Sequence, residues 1–207
     1  MKNFIKFLLV ICCMFVVSGV QAQIKFGPKF GLNLSTMTMK ESGISIDPKT
    51  RAGIHLGLIG EIPLQNNFNI QTGFFFSMKG SKYSVGNTDM TISPNYLEIP
   101  VNALYKYELG SAKLLLFAGP YFAYGIGGKY KADGESQDIK FGSGDNNDMK
   151  AFDMGLNLGA GIEISDFQIT AQYGLGLANL APVSTNDAKM KNRVFGISIA
   201  YLMSATK

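Results

Sequence analysis

The chain has a single histidine, His55, and its chemistry is the most specific the sequence offers. A neutral imidazole can take a proton from a serine hydroxyl when an acid holds its other nitrogen. Ser77, Ser198 and Asp153 fall on the same side of alternating segments as His55, which is the set a hydrolase would need. Neither serine sits in a nucleophile-elbow motif, and polar residues on that face serve equally well as packing partners, so no catalytic residue is assigned. A second polar group, Gly142-Ser143-Gly144-Asp145-Asn146-Asn147-Asp148, carries carboxylates and amides. It lacks the acidic order, central glycine and closing glutamate of a calcium loop and reads as a flexible, solvated hairpin tip. Cys12 and Cys13 lie in the N-terminal apolar run. With one histidine and no later cysteine, neither a metal site nor a cofactor is expected. The glycines of Gly125-Ile126-Gly127-Gly128 and of Gly155 to Gly161 do not follow a phosphate-cradling spacing and read as room for tight packing and strand curvature.

The start of the chain has the order of a secretory signal. Lys2 and Lys6 precede an apolar stretch, Phe7 to Val17, and then Ser18-Gly19-Val20-Gln21-Ala22, with small residues at the positions a signal peptidase accepts. The expected cut is before Gln23, leaving a signal peptide over 1–22 and one domain over 23–207. The formal net charge is +4, and two of those charges leave with the signal. So small a balance gives no support to nucleic-acid binding, which wants a concentrated basic face.

The candidate residues must be positioned by strands, because period-two alternation recurs where no useful helical period does. Eight segments show it: Phe26 to Ser35, Gly53 to Ile62, Phe68 to Lys79, Tyr96 to Tyr107, Lys113 to Gly127, Phe152 to Ile164, Phe167 to Tyr173 and Val194 to Leu202. In the sixth, Phe152, Met154, Leu156, Leu158, Ala160, Ile162 and Ile164 alternate with Asp153, Gly155, Asn157, Gly159, Gly161 and Glu163. The fifth is apolar on both faces around Phe117, and its outward set is taken as Leu114, Leu116, Phe122 and Tyr124. Pro63 to Asn67, Glu108 to Ala112 and Ser165-Asp166 make short turns. Thr36 to Arg51, Gly80 to Asn95, Tyr130 to Lys150 and Ala178 to Arg193 make long polar loops. The expected fold is all-β: an eight-stranded antiparallel up-and-down transmembrane β-barrel, with short turns and both termini periplasmic and the long loops outside the cell.

Composition of the two faces selects the direction of that barrel. The apolar face carries no charge, whereas the other carries Lys29, His55, Glu61, Glu98, Lys106, Asp153 and Glu163 among many glycines, as suits a narrow, filled interior. Lone charges there would be costly, so Lys29 and Lys106 should pair with Glu61, Glu98, Asp153 or Glu163. Phe68, Tyr105, Tyr107, Phe167 and Tyr201 at one end, and Phe76, Tyr83, Tyr124, Phe152 and Phe195 at the other, suit the two interfacial girdles.

Several stretches are distinctive: Phe26-Gly27-Pro28-Lys29-Phe30-Gly31-Leu32-Asn33, Tyr96-Leu97-Glu98-Ile99-Pro100-Val101, Gly119-Pro120-Tyr121 and Asn192-Arg193-Val194-Phe195-Gly196. On these the chain resembles the porin-like outer-membrane β-barrel family of Bacteroidota, the PorT-like group. The resemblance spans the expected mature chain and implies fold and location rather than a reaction. It departs at the end, where Met203-Ser204-Ala205-Thr206-Lys207 follows Tyr201-Leu202 in place of a closing aromatic. Pro28, Pro100 and Pro120 each remove a ladder donor, which counts against central strands.

The expected function is that of a non-enzymatic integral outer-membrane protein. Its filled barrel would anchor loops for interaction or envelope integrity. Its partners would be outer-membrane lipid, the barrel-assembly machinery during biogenesis, and an extracellular ligand or protein at the long loops. Two other readings stay open. One is a narrow porin, against which the inward bulk of Phe75, Tyr96 and Tyr121 argues; the other is a soluble, lipocalin-like periplasmic carrier with its apolar face inside.

Overall fold

A computed structural model describes residues 24–41, 44–46, 48–85, 88–132, 134–144, 146–182 and 188–204. The expected signal peptide, its cleavage site, Asp145 and residues 205–207 lie outside the described residues. In chain order the strands are β1 (Lys25–Glu41), β2 (Ile44–Ile46), β3 (Arg51–Pro63), β4 (Phe68–Met78), β5 (Ser81–Val85) and β6 (Thr88–Leu109). They continue as β7 (Ala112–Ala132), β8 (Glu135–Asp138), β9 (Phe152–Ile164), β10 (Phe167–Gly176), β11 (Lys189–Tyr201) and β12 (Met203–Ser204).

Eight of these close a ring in the order β1-β3-β4-β6-β7-β9-β10-β11, with β11 returning to β1, and every pair in it is antiparallel. Closure leaves the ring no free edge, as hydrocarbon requires. Asn66, Asn67 and Ser165 adopt positive φ in two of the short turns at one end. Lys25 and Ser204 pair at that same end, so the described termini and the short turns lie together.

The side chains face as charge and hydropathy require. Leu58 and Leu158 on the outer wall are 65% and 67% exposed, while Glu61 and Asp153 are 1% and 0% exposed. A lipocalin-like carrier needs the reverse, so that reading is overturned. The ambiguous segment resolves as expected: Leu116, Phe122 and Tyr124 of β7 point out, and Leu115, Phe117 and Tyr121 point in.

The prolines are accommodated locally. Around Pro100 the β6–β7 ladder passes from Pro100↔Tyr121 to Ala103↔Ala118, and the β4–β6 ladder from Thr72↔Val101 to Phe75↔Glu98. Rungs are missing there, but the register is the same on both sides of each gap. Gly119 allows the close approach, since a Cβ on it would lie 2.0 Å from the Val101 carbonyl oxygen.

One expectation is corrected. The long connections are not simply polar loops: β1, β6, β7 and β11 run on past the apolar band, and β2, β5 and β8 pair onto β1, β6 and β7. Alternation continues in these extensions, so their inward residues meet above the barrel. Met37, Tyr83, Ile92, Ile139, Met149 and Leu180 form a buried cluster with Phe141 and Met190 against it. Tyr83 therefore belongs to this second core rather than to an interfacial girdle. Its hydroxyl donates to the Met37 carbonyl at 2.5 Å, and burial pushes its pKa up to about 12. The girdle at the short-turn end stands, with ring pairs Phe68–Tyr105 at 5.0 Å and Phe167–Tyr201 at 4.9 Å.

Candidate functional site

The interior contains three stacked polar groups. Nearest the short turns, Lys106 of β6 reaches across the ring to Glu61 of β3 at 2.6 Å and to Glu163 of β9 at 2.5 Å. Gln168 Nε2 on β10 donates to both carboxylates at 2.7 and 2.8 Å, and Lys25 approaches Glu163 at 3.4 Å. This set floors a vestibule of about 370 Å³ open toward the short-turn end.

The middle group holds His55. Its Nδ1 meets Asn33 Oδ1 at 2.8 Å and its Nε2 meets Ser198 Oγ at 3.1 Å. An amide oxygen only accepts, so Nδ1 carries the proton and the serine hydroxyl donates to Nε2. Asn33 Nδ2 donates in turn to Ser77 Oγ at 3.1 Å. Gly31 makes room for the ring, since a Cβ there would lie 2.5 Å from it. The serine–histidine contact expected of a hydrolase is present, but an amide stands where the acid would be. His55 and Ser198 are 6% and 3% exposed, and the adjoining cavity of about 30 Å³ has room for a water or two, not a substrate.

Asp153 belongs to the upper group instead. It accepts from Lys79 Nζ at 3.3 Å, Tyr121 Oη at 3.3 Å and Asn192 Nδ2 at 2.9 Å. Lys79 also pairs with Glu98 at 2.7 Å and lies 4.3 Å from the Tyr121 ring centroid. Above this group, the Phe141 ring fills the space at Gly125 and meets Tyr96 edge-on at 6.3 Å. The Gly142–Asp148 segment is therefore not a free tip: Phe141 bridges to Met149 and Lys140 N donates to Asp148 Oδ2 at 2.8 Å.

The expectation for Lys106 holds and that for Lys29 does not. Lys29 is buried, makes no ion pair among the described residues, and stands 5.9 Å from the Phe75 ring centroid. The four carboxylates it could have met are held by Lys79 and Lys106. Lys79, Asn33 and Asn192 belong to no chemical motif in the sequence, yet parity with Ser77, Lys29 and Val194 places all three inside, where they are buried.

A closed antiparallel eight-strand ring, apolar outside and charged within, is the geometry of a small membrane barrel. The family model described as outer membrane protein beta-barrel domain matches residues 21–181, well over half of the chain. The chain belongs to that family. It is an integral outer-membrane β-barrel protein, and membrane lipid is what its apolar wall faces.

No curated protein matches the chain. Among solved structures it is similar to Neisserial surface protein A, at 12% identity over 86% of this chain and 97% of that one, with a TM-score of 0.44. Ail, the attachment invasion locus protein of Yersinia pestis, solved with the heparin analogue sucrose octasulfate, is 17% identical over 88% and 100%, with a TM-score of 0.40. The outer membrane enzyme PagL is 11% identical over 82% and 98%, with a TM-score of 0.43.

Proposed function

We propose that the protein is a non-enzymatic, non-conducting barrel that anchors a folded extracellular platform for contact with a ligand or protein outside the cell. The observation that carries this reading is the succession of obstructions along one lumen. The Lys106–Glu61–Glu163 cluster, the His55 and Phe75 layer, the Lys79–Asp153–Tyr121 group and Phe141 follow one another up the lumen. An eight-strand interior filled by side chains leaves no channel. The second core around Met37, Tyr83 and Met149 holds the surrounding extensions in place, as a recognition surface requires.

The distinctive strand sequences support a place among the PorT-like barrels of Bacteroidota. Export follows from the N-terminal pattern: residues 1–22 act as the signal peptide, and residues 23–207 are delivered to the barrel-assembly machinery. The test is reconstitution of the purified protein in planar bilayers. Wild-type protein should give no discrete conductance steps, and unitary channels of reproducible size would sink the filled-anchor reading in favour of a porin. The mass of the membrane-extracted protein checks the cut before Gln23.

A further inference from the structure

The outward face of β11 changes character abruptly at one height. Ile199, Ile197 and Phe195 face lipid, and the same series continues as Arg193, Lys191 and Lys189. Alternate residues on a strand share a face and stand roughly 6.7 Å apart, so the three cations form a row directly above the apolar band. Lys189 and Arg193 are exposed and Lys191 is half-buried, while the intervening Asn192 is buried. The row therefore projects sideways, along the membrane plane, and not up into the medium.

Among the described residues no counter-charge stands beside the row. Thr36 and Thr38 of β1 stand opposite Arg193 and Lys191 in register, and Leu175 of β10 stands opposite Arg193. No carboxylate among the described residues lies within ion-pair distance of the three. At the other rim Glu108 and Lys113 line the vestibule and lie 3.9 Å from each other. Elsewhere on the extracellular rim, Lys129 has Asp138 opposite it on β8.

We propose that Arg193, Lys191 and Lys189 form a binding site for the phosphate group of an anionic lipid in the outer leaflet. A phosphate at that height accepts charge-assisted hydrogen bonds from the guanidinium and ammonium groups, with the Thr36 and Thr38 hydroxyls beside it. The acyl chains of the same molecule then lie along Phe195, Ile197 and Ile199. A soluble anion gains only the first of these contacts, which is why a lipid is the occupant.

The experiment measures association of spin-labelled phosphatidic acid and phosphatidylcholine with the folded protein in phosphatidylcholine bilayers at low ionic strength. Wild-type protein should prefer phosphatidic acid. The combined variant Lys189→Gln, Lys191→Gln, Arg193→Gln should lose that preference, by about fivefold for each cation removed. Arg193→Gln alone serves if the combined variant does not fold, which heat-dependent gel migration reports. Lys129→Gln with Lys131→Gln should leave the preference in place. The proposal is overturned if the β11 variants keep the wild-type preference, if the β7 variants lose as much, or if inorganic phosphate at matched ionic strength abolishes it.

Discussion

Replacing Lys106 with methionine keeps the length of the side chain and deletes the one cation shared by two buried carboxylates. Lys106 Nζ lies 2.6 Å from Glu61 and 2.5 Å from Glu163. Without it Glu163 still has Lys25 at 3.4 Å, whereas Glu61 keeps only the amides of Gln71 and Gln168 at 2.9 and 2.7 Å. Removing one partner of a buried pair costs about 3–5 kcal/mol because a charge is left behind, not because the pair itself is worth that much. The open vestibule and Lys25 place this case at the lower end, about 3 kcal/mol. Deleting every charge in the set, in the variant Glu61→Gln, Lys106→Met, Glu163→Gln, should recover most of the loss and return stability to within about 1 kcal/mol of wild type. Guanidinium titration in lipid vesicles, with the folded fraction read from heat-dependent gel migration and circular dichroism, measures both. A Lys106→Met protein as stable as wild type, or a triple variant less stable than the single one, would refute the reasoning.

Three other substitutions probe other parts of the molecule. Leu156, 50% exposed on the outer face of β9, should cost about 2–4 kcal/mol when changed to arginine, and a near-wild-type titration would contradict its lipid-facing assignment. Tyr83→Phe removes the donor to the Met37 carbonyl and should cost about 1–2 kcal/mol, seen as faster amide exchange in the extensions; unchanged exchange would argue against a folded second core. Ser198→Ala deletes the hydroxyl that donates to His55 and should cost about 1 kcal/mol, while wild-type Ser198 should resist a fluorophosphonate probe. Labelling at Ser198 would reopen the catalytic reading.

The sequence encodes the facing of each residue more directly than its height in the ring. Facing has a period of two, so the strands, the outward Leu156 series and the inward Glu61, Lys106 and Glu163 followed from parity alone. Height around the ring depends on the stagger of strands far apart in sequence, which alternation does not encode. Parity alone therefore groups Asp153 with His55, although stagger sets it beside Lys79, and offers Lys29 a carboxylate that Lys79 or Lys106 holds. The second core escaped for a different reason. Its runs are short, with Met37 between threonines, Met39 between Thr38 and Lys40, and Met190 between lysines, so their polar outward residues make each stretch look like loop.

The cross-ring cluster also bears on how the chain enters the membrane. Glu61, Lys106, Glu163 and Gln168 come from β3, β6, β9 and β10, and no single hairpin contains a complete set. The β3–β4 hairpin by itself carries Glu61 and its amide partner Gln71 but not the lysine, and a carboxylate without its cation is costly at membrane depth. The lysine and its two carboxylates meet only when β3, β6 and β9 stand in one ring, so closing the wall and neutralising this part of the lumen are a single event.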